Sequence, residues 1–538
     1  MYRLLDRSGY NMSSKQYIDT ATAVPRHNGG HTTMDTQMLA KLSQSLPTAA
    51  IAALIFAIFV YIPKIQRKMQ LSKLPLLSIS DKSGEKQRQE FLMSARKIYE
   101  KGHAKVNIAF TLMGCQDTVV VPLSLLPELR RLPDDVLSFP KFVEQALHAK
   151  YTNLNTEADM TTHTVKSDLT PALPRLNAMV CQEVDTAVRE YMPPCEDWTE
   201  VCINSKLVDM VAQISGAIFV GQELSRNPEY LDASANYTLD LMAAISAINQ
   251  IRPWLRPILV PRAPEILRLR EREAQVIRIL KPIVEERLDL KATDSNWQEP
   301  DDMMQWMINR SDGKDTIEKI AQYQLSLIFA AIHTTTLTAT NILYTLVSTP
   351  EYIEPIREEV RTTMANNGGT ITFQALQQME KLDSYMKEVT RFYPTGITSF
   401  GRRVLKGITL SNGQYIPPGV VIETPSAAIY VDDQHYPSSA AFDGNRAYKL
   451  RSSGKAADIA RNQFVTTNET NLNFGYGRHA CPGRFFATNE IKMMVARLIL
   501  EYDIKMPGGE TERFPQIEVG RMSMPCPGKN LLFKRVVN

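Results

Sequence analysis

Apolar residues recur at helical spacing along most of the chain from about residue 85 onward. Stretches with this spacing include QEFLMSARKIYEKGH (89–103), LDLMAAISAINQI (239–251) and PEILRLREREAQVIRILKPIVEERLDL (264–290). The longest such segment, residues 316–350, is apolar nearly all round. It therefore predicts a helix that crosses the centre of the protein.

Patterns typical of β-strands are short and few. They are VNIAFTL (106–112), DTVVVPL (117–123), RRVLKGITL (402–410) and KNLLFKRVV (529–537). Asn412-Gly413, in ITLSNGQYIPPG, is the dipeptide that two-residue hairpin turns favour, so a hairpin is predicted there. The whole pattern predicts a mainly α fold with a small β portion, in one large helical domain.

One segment does not fit a soluble domain. LPTAAIAALIFAIFVYIP, residues 46–63, carries no charge, which favours a membrane span. A cleaved signal peptide is the alternative, but the segment starts far from the N-terminus and no A-x-A site follows it. Lys64, Arg67, Lys68 and Lys73 come next, so the positive-inside rule places the following chain in the cytosol. We expect a disordered lumenal tail (1–45), a transmembrane anchor (46–63), a basic, proline-containing linker (64–80) and the main domain (81–538).

Composition and charge exclude some classes of protein. A hydrophobic content of 44% is globular, and a net charge of +3 gives no reason to expect a nucleic-acid surface. The six cysteines are scattered and form no C-x-x-C pair. Reduced thiols in a cytosolic compartment are therefore expected, rather than a disulfide framework.

Two cysteines share a Cys-Pro-Gly context but differ in what surrounds them. Cys481 lies in FGYGRHACPGRFFA, where glycines permit a tight turn and Pro482 suits the first turn of a helix. A helix start lowers the pKa of a thiol and favours the thiolate that binds metals. Cys526, in MPCPGKN, is followed by a strand-like run. We interpret Cys526 as a turn residue and Cys481 as the chemical one.

Two patterns upstream are also informative. In KLDSYMKEVTRFYP, Glu388 and Arg391 share one helical face with apolar neighbours, so a partly buried ion pair is plausible, with Arg446 of FDGNR as a further partner. In AAIHTTTLT (330–338), three consecutive threonines disfavour a helix. Their hydroxyls could simply bond back to the preceding turn, or a local distortion could open a groove beside a ligand.

These residues carry a resemblance to the cytochrome P450 family. FGYGRHACPG resembles its haem-binding loop, F-x-x-G-x-[RH]-x-C-x-G, and EVTR and FDGNR resemble its E-x-x-R and F-x-x-x-R. AAIHTT resembles its oxygen-activation motif, [AG]-G-x-[DE]-T-[TS]. The four occur in the family's order, and the resemblance covers about residues 75–538. It implies the cytochrome P450 fold with haem b, iron protoporphyrin IX, as cofactor.

By this resemblance Cys481 would be the axial thiolate on the haem iron. His479 would bond a haem propionate, and Phe474 would shield the sulfur. The loop glycines implied to lie at the cofactor are Gly475, Gly477 and Gly483.

The resemblance also implies roles away from the loop. Glu388, Arg391 and Arg446 would form a buried structural triad, and Thr334 would steer protons and water toward bound oxygen. The implied substrate-pocket candidates are Ala330, Ala331, Ile397 and Thr398.

The sequence departs from the family pattern in two places. His333 stands where the family has an acid, and Ala331 where it has glycine. Histidine can still relay protons near neutral pH, so His333 is a second catalytic candidate. The W-x-x-x-R of the early helix is missing; HTVKSDLTPAL occupies its place, and Lys166 is the candidate for a propionate contact.

The implied reaction is insertion of one oxygen atom from O2 into a substrate, while the other atom leaves as water. No P-loop and no G-x-G-x-x-G after a strand is present, so electrons must come from another protein. The resemblance implies NADPH–cytochrome P450 reductase, with cytochrome b5 as a further candidate, and a cytosolic catalytic domain anchored in the endoplasmic reticulum membrane.

The substrate is inferred only from two short stretches of sequence that are similar to those of other proteins. FAAIHTTT and DLTPALPRLN are similar to fungal secondary-metabolism members acting on diterpenes and indole diterpenes, so a large apolar terpenoid is the leading interpretation. A polyketide or an alkaloid is the alternative substrate. A haem-thiolate isomerase or dehydratase that needs no reductase, and a haem carrier or sensor, are the alternative functions.

Overall fold

The computed structural model describes residues 51, 55–56, 58–59, 61–77, 85–105, 109–112, 118–156 and 159–536. The chain divides into two units, Met1–Gln66 and Arg67–Asn538. In the first unit residues 61–66 are helical, and the second unit begins with helical residues 67–71. The predicted tail (1–45) and much of the predicted anchor (46–63) lie outside the described residues, and both stay predictions.

Helices make up most of the second unit, as the apolar spacing predicts. The longer ones are α1 (Glu85–Lys105), α2 (Phe139–Ala146), α3 (Thr170–Tyr191), α4 (Ile203–Phe219), α5 (Pro228–Gln250), α6 (Pro264–Thr293), α7 (Met303–Ser311), α8 (Ile317–Ser348), α9 (Ile353–Asn366), α10 (Glu380–Phe392) and α11 (Arg484–Glu501). Short helices span Leu126–Leu129, Ala149–Thr152, Asp159–Thr164, Gln222–Ser225, Arg256–Leu259, Phe373–Gln378, Ser426–Tyr430, Arg446–Arg451 and Ala456–Arg461. Single 3-10 turns span Leu123–Leu125, Val260–Arg262, Pro350–Tyr352, Gly477–His479 and Pro507–Gly509.

The β portion is small and lies in four sheets. The strands are β1 (Leu76–Leu77), β2 (Phe110–Leu112), β3 (Thr118–Val120), β4 (Leu137–Ser138), β5 (Thr199–Val201), β6 (Ser399–Val404), β7 (Ile408–Thr409), β8 (Tyr415–Ile416), β9 (Val421–Thr424), β10 (Tyr502–Lys505), β11 (Gln516–Val519), β12 (Met522–Pro525) and β13 (Leu531–Arg535). The largest sheet has the order β1-β2-β3-β9-β6-β4; the others are β10-β13-β5, β11-β12 and β7-β8.

One strand pair and one single strand show how the sequence sets the sheets. β7 and β8 form the predicted antiparallel hairpin, with Ile408 opposite Ile416 and Gly413 at φ +82° in the turn. In β6 buried and half-buried residues alternate, because successive side chains point to opposite faces. The predicted mainly α fold with a small β portion is therefore confirmed.

Helix α8 is the axis of the main core. Thr316 caps it, because its side chain accepts the Lys319 N–H, and most of its apolar residues are buried against α4, α5, α6 and α11. Among the described residues it is also the one helix long and apolar enough to cross a membrane. Over half of its apolar window is buried, which identifies it as the core helix of the domain.

A carboxylic acid lies at the contact between α4 and α11. Glu490 is fully buried, and its Oε1 accepts a hydrogen bond of 2.8 Å from the Ser215 hydroxyl. Its Oε2 has no hydrogen-bond partner among the described residues. Burial raises the pKa of Glu490 from 4.5 to about 8, so in the folded protein this side chain is neutral at pH 7.

This buried acid predicts a pH-dependent stability. Between about pH 5 and 8 the unfolded chain releases the Glu490 proton while the folded protein keeps it, so the free energy of unfolding falls as pH rises. Glu490→Gln should flatten this dependence, whereas the exposed Glu512→Gln should leave it as in wild type. Denaturant midpoints measured across that pH range by far-UV circular dichroism check it. Equal pH slopes for Glu490→Gln and wild type would contradict the assignment.

Candidate active site

The cysteine loop is folded by its glycines. Gly475 and Gly477 both have φ +73°, a conformation that side chains with a Cβ rarely adopt. The Cys481 N–H then donates to the Phe474 carbonyl at 2.7 Å, which closes the loop onto its own start. The Phe474 ring packs edge-on against Phe464 at 5.3 Å.

The Cys481 sulfur lies just before the first turn of α11. It accepts the backbone N–H groups of Gly483, the N-cap residue, and of Arg484, the first helical residue. The thiol is accessible although protein atoms surround it, and this burial raises its pKa. The two N–H groups and the Arg484 charge act in the opposite direction and favour the thiolate. A Cβ built on Gly483 would meet no atom within 4 Å, so there is open space beside the cysteine.

His479 is held by neighbours from an earlier segment. Its Nε2 lies 2.8 Å from Asp134 Oδ1, and its ring stacks on Phe139 at 5.2 Å between centroids. Burial lowers the pKa of His479, although the hydrogen bond to Asp134 opposes this. The carboxylate next to His479 in the structure is thus that of Asp134, and the predicted bond to a haem propionate stays a prediction.

Lys166 lies beside the same loop because of an irregular helix. Residues Val165–Leu169 form a π-helical turn between Asp159–Thr164 and α3. Pro171 has no N–H to donate to the preceding turn, and its ring clashes with a regular α-helical carbonyl, which accounts for the wider turn. The Lys166 ammonium is 3.5 Å from the Arg478 carbonyl oxygen. The structure thus brings Lys166, His479 and Cys481 to one region.

The structure also brings the three triad residues together. Arg391 donates to both Glu388 oxygens at 2.7 and 2.9 Å, and Arg446 Nε lies 3.2 Å from each of them. Glu388 and Arg391 are each 3% exposed. Arg391 also donates to the carbonyls of Tyr430 and Ser439 at 2.6 and 2.9 Å, so this buried pair has the further hydrogen bonds that it needs.

Tyr430 connects the triad to the cysteine loop. Its carbonyl binds Arg391, and its hydroxyl accepts the Leu472 N–H at 2.9 Å. The same hydroxyl lies 3.1 Å from Asn473 Oδ1, immediately before Phe474. A hydrogen-bonded path therefore leads from Glu388 to the start of the cysteine loop.

The threonine run lies in the middle of an unbroken helix. Thr334 Oγ1 donates to the Ala330 carbonyl at 2.6 Å, and Thr338 Oγ1 donates to the Thr334 carbonyl at 2.8 Å. These hydroxyls bond back to the preceding turn, so the structure shows the first of the two alternatives for the threonine run, with α8 undistorted. Ala330 and Thr334 are nevertheless exposed in the midst of buried residues, while Ala331 is half-buried. An open space therefore borders this face of α8.

His333 is directed away from that face. Its Nε2 lies 3.0 Å from the Ala235 carbonyl of α5, so this nitrogen carries the proton and donates it. Burial lowers the pKa of His333, which keeps the imidazole neutral near pH 7. The geometry favours a connector between α5 and α8 over the predicted proton relay, because the protonated nitrogen is occupied outside the threonine groove.

The two pocket candidates after α10 differ in position. Ile397 is fully buried, and its backbone bonds Arg521 and Ala427, so the prediction that it lines a pocket is wrong. Thr398 is half-buried, with its hydroxyl 3.4 Å from Glu423. Thr395 is the exposed residue of this turn. The reason is the pairing of this segment with the tip of the β11–β12 hairpin, which turns Ile397 into the core.

Sequence reasoning missed Arg402. It lies on β6 and is 5% exposed, and its guanidinium contacts the rings of Phe400 and Phe139 at 4.4 and 4.9 Å. Burial lowers its pKa to about 10, although the charge of Asp134 opposes the shift. Its hydrogen bond among the described residues is to the Gly401 carbonyl, with no carboxylate. Side chains alternate between the two faces of a strand, so one of the adjacent residues Arg402 and Arg403 is expected to point inward. The sequence does not show which of the two it is.

Comparison with known proteins gives one consistent family. A family model described as Cytochrome P450 matches residues 138–533. The chain is 39% identical over 504 residues to Cytochrome P450 monooxygenase TES1 of Alternaria alternata, covering 93% of this chain and 95% of that protein. It is 38% identical over 437 residues to Cytochrome P450 monooxygenase ATR3 of Stachybotrys chlorohalonatus, covering 79% and 90%. Cytochrome P450 monooxygenase braC of Annulohypoxylon truncatum is 32% identical over 491 residues, covering 90% and 97%.

The domain is mainly helical, and an accessible cysteine lies just before helix α11. With these matches, the chain belongs to the cytochrome P450 family. It is a monooxygenase, its cofactor is haem, and it requires a redox partner and a substrate. Eukaryotic members of the family are often anchored in the endoplasmic reticulum membrane.

The triad makes a prediction about stability. Arg391→Ala leaves Glu388 as an incompletely paired buried charge, so we expect a loss of roughly 3–5 kcal/mol in the free energy of unfolding, together with reduced haem content. Arg361→Ala is the matched control, because it breaks an exposed pair with Glu354 and should cost under about 1 kcal/mol. Urea denaturation and haem quantification measure both. An Arg391 variant as stable as the Arg361 variant would show that the buried pair contributes little.

Proposed function

We propose that this monooxygenase inserts one oxygen atom from O2 into a large apolar terpenoid, of the diterpene or indole-diterpene type, in fungal secondary metabolism. The observation that carries the proposal is the accessible Cys481 sulfur, which accepts two backbone N–H groups at the start of α11. The terpenoid class is supported by the similar phrases FAAIHTTT and DLTPALPRLN. Small residues on the exposed face of α8 leave room for a bulky skeleton.

In this proposal Cys481 would bind the haem iron through its sulfur. The haem supplies the activation of O2, with one atom going to the substrate and the other to water. Gly483 fits a flat group because no atom lies within 4 Å of where its Cβ would be. The loop turn set by Gly475 and Gly477 holds the sulfur in place, and Phe474 accepts the Cys481 N–H.

Three cationic or hydrogen-bonding side chains around the loop suit the haem propionates. Lys166 lies at the Arg478 carbonyl, and Arg402 is a buried guanidinium without a carboxylate among its described hydrogen-bond partners. His479 keeps one nitrogen on Asp134. Lys166 and Arg402 therefore take the larger share of the propionate charge, and His479 orients the loop through Asp134 and Phe139.

Thr334 is the residue proposed to supply protons on the α8 face. Its hydroxyl is exposed and bonded to the Ala330 carbonyl, so a small rotation about χ1 or the C–O bond redirects its proton to a neighbour in the groove. The carbonyl at Ala330 then remains as an acceptor for a water molecule. His333 serves as a positioning residue, because its proton is committed to Ala235 of α5.

Other features of the sequence support proposals for the electron donor and for the cellular location of the enzyme. We propose NADPH–cytochrome P450 reductase as the electron donor, with cytochrome b5 as a second donor. The support is the lack of a nucleotide-binding fingerprint in the sequence. The uncharged segment 46–63, followed by basic residues, would anchor the domain 81–538 on the cytosolic side of the endoplasmic reticulum membrane.

The axial assignment predicts opposite results for two cysteines. Cys481→Ala should abolish the thiolate-type spectrum of the reduced enzyme with CO, whereas Cys526→Ala should retain it, because Cys526 lies in the turn just after β12 and its carbonyl accepts the Tyr344 hydroxyl. In cells that co-express a reductase and receive diterpene substrates, wild type and Cys526→Ala should form oxygenated product. A normal spectrum from Cys481→Ala would show that Cys481 is not the ligand of the haem iron. A normal wild-type spectrum with no terpenoid product would refute only the proposed substrate class.

The role of Thr334 predicts uncoupling. Thr334→Ala should bind substrate and consume NADPH but release the electrons as hydrogen peroxide, and product per NADPH should fall by up to about 10²-fold. Thr338→Ala is the matched control, because it removes the same hydroxyl-to-carbonyl bond one turn along α8. His333→Ala should affect coupling less than Thr334→Ala.

Product and peroxide yields per NADPH decide between these roles. Unchanged coupling in Thr334→Ala would remove Thr334 from the mechanism. A loss of product per NADPH in His333→Ala equal to that in Thr334→Ala would support His333 as a proton relay.

A further inference from the structure

A cavity of about 910 Å³ opens between α1, α2, the end of α5 and the main sheet. Its walls come from residues 88–92, 141–151 and 249–256, with β6, β9 and Arg521 at its floor. The volume is in the range of a site for a whole small molecule. None of the proposed haem-contacting residues lines it.

The charge of this cavity is strongly one-sided. Five arginines and two lysines line it, against one carboxylate, Glu144; the cations are Arg88, Lys141, Lys150, Arg252, Arg256, Arg403 and Arg521. Two of them are neutralised: Lys141 pairs with Glu144 at 2.6 Å, and Arg521 pairs with Glu423 at 2.6 Å. The only lining carboxylate is thus already occupied.

Three cations at the rim remain without a carboxylate. Within the described part of the chain, Lys150, Arg252 and Arg256 form no ion pair; Lys150 lies over the Tyr151 ring at 5.8 Å, and Arg256 Nε donates to the Ile251 carbonyl at 3.1 Å. Arg256 acts on the cavity interior, since it lowers the pKa of the lining residue His148 together with burial, the larger cause. An anion entering here would meet charges that no protein group in the described residues balances.

Apolar residues also line the cavity, and part of this lining leads toward the cysteine loop. Phe91, Phe142, Ile251 and Val421 lie among the cations. The Phe142 ring packs against Phe139 at 6.4 Å, and Phe139 stacks on His479, two residues before Cys481. A ligand held by its charged end at Arg252 and Arg256 would therefore extend its apolar body toward the cysteine loop.

We propose that the terpenoid substrate is an amphipathic acid: it carries a carboxylate, which Arg252 and Arg256 bind at the cavity rim, while its large apolar skeleton extends inward. The proposal rests on the proposed function and narrows its substrate class. Lys150 adds charge at the same rim. A purely apolar molecule would leave these cations unused, and a cationic one would be repelled.

The test is a binding measurement on the full-length, haem-loaded enzyme, with decanoate and decan-1-ol as probes of equal chain length. Isothermal titration calorimetry at neutral pH should give a Kd for decanoate at least about tenfold below that for decan-1-ol, as expected for charge-assisted hydrogen bonds to guanidinium. The double variant Arg252→Gln/Arg256→Gln should lose this preference and leave decan-1-ol binding unchanged. Arg268→Gln, an exposed arginine of α6 outside the cavity, is the control and should behave as wild type.

Each outcome decides one point. Equal affinities for the two probes in wild type, or a preference that survives in the double variant, would overturn the proposal. Sedimentation with vesicles of phosphatidylcholine, with and without phosphatidylserine, separates a lipid headgroup from a free acid. If the double variant loses binding to phosphatidylserine vesicles but keeps its decanoate preference, the cations serve the membrane surface and the proposal fails. Because binding is measured without turnover, failure here leaves the monooxygenase function and the role of Cys481 untouched.

Discussion

The buried carboxylate of Glu388 is the interaction on which the site depends. Arg391, from the next turn of the same helix, and Arg446, from a later segment, bind it, and Arg391 uses its other N–H groups on backbone carbonyls of the segment that follows the main sheet. A buried charge pair is stable only when its remaining hydrogen-bonding groups are satisfied, and here the partners are the backbone itself. Tyr430 then transmits this fixed geometry to Leu472 and Asn473, at the entrance of the cysteine loop.

The cysteine loop adds a second constraint, which is local. Two left-handed glycines and the bond from the Cys481 N–H to Phe474 place the sulfur before α11, where backbone N–H groups meet it. Burial raises the pKa of the thiol, while the N–H groups of Gly483 and Arg484 and the Arg484 charge lower it. The arrangement is suited to a cysteine that binds a metal, because a metal cation favours the deprotonated sulfur.

The sequence predicted what depends on short-range pattern. The length of α8, the hairpin at Asn412-Gly413, the helix start after Cys481 and the pairing of Glu388 with Arg391 follow from periodicity or spacing, whereas the triad with Arg446 was implied by the family resemblance. The π-helical turn at Val165–Leu169 was missed, although Pro171 and Pro174 signal it. Tertiary contacts, which a sequence does not show, offset the free-energy cost of this irregular turn. The threonine run left two alternatives open, and the structure shows the one in which the hydroxyls bond back to the preceding turn and leave α8 intact.

Residues that tertiary pairing positions were the least predictable. Ile397 is buried because the β11–β12 hairpin pairs with its segment, and Arg402 is buried because β6 turns that face inward. Neither fact has a local signature. The same holds for the basic cavity, whose cations come from five separate stretches of the chain that only the folded protein assembles.

The central claim is that haem lies between the Cys481 loop and the exposed face of α8. A crystal structure of the full-length, haem-loaded enzyme tests it most directly. The account predicts iron bonded to Cys481 Sγ, with Ala330 and Thr334 across the opposite face of the ring and Lys166 and Arg402 at its propionates. Iron ligated by His479 or by any other residue, or a ring that does not reach Thr334, would contradict it.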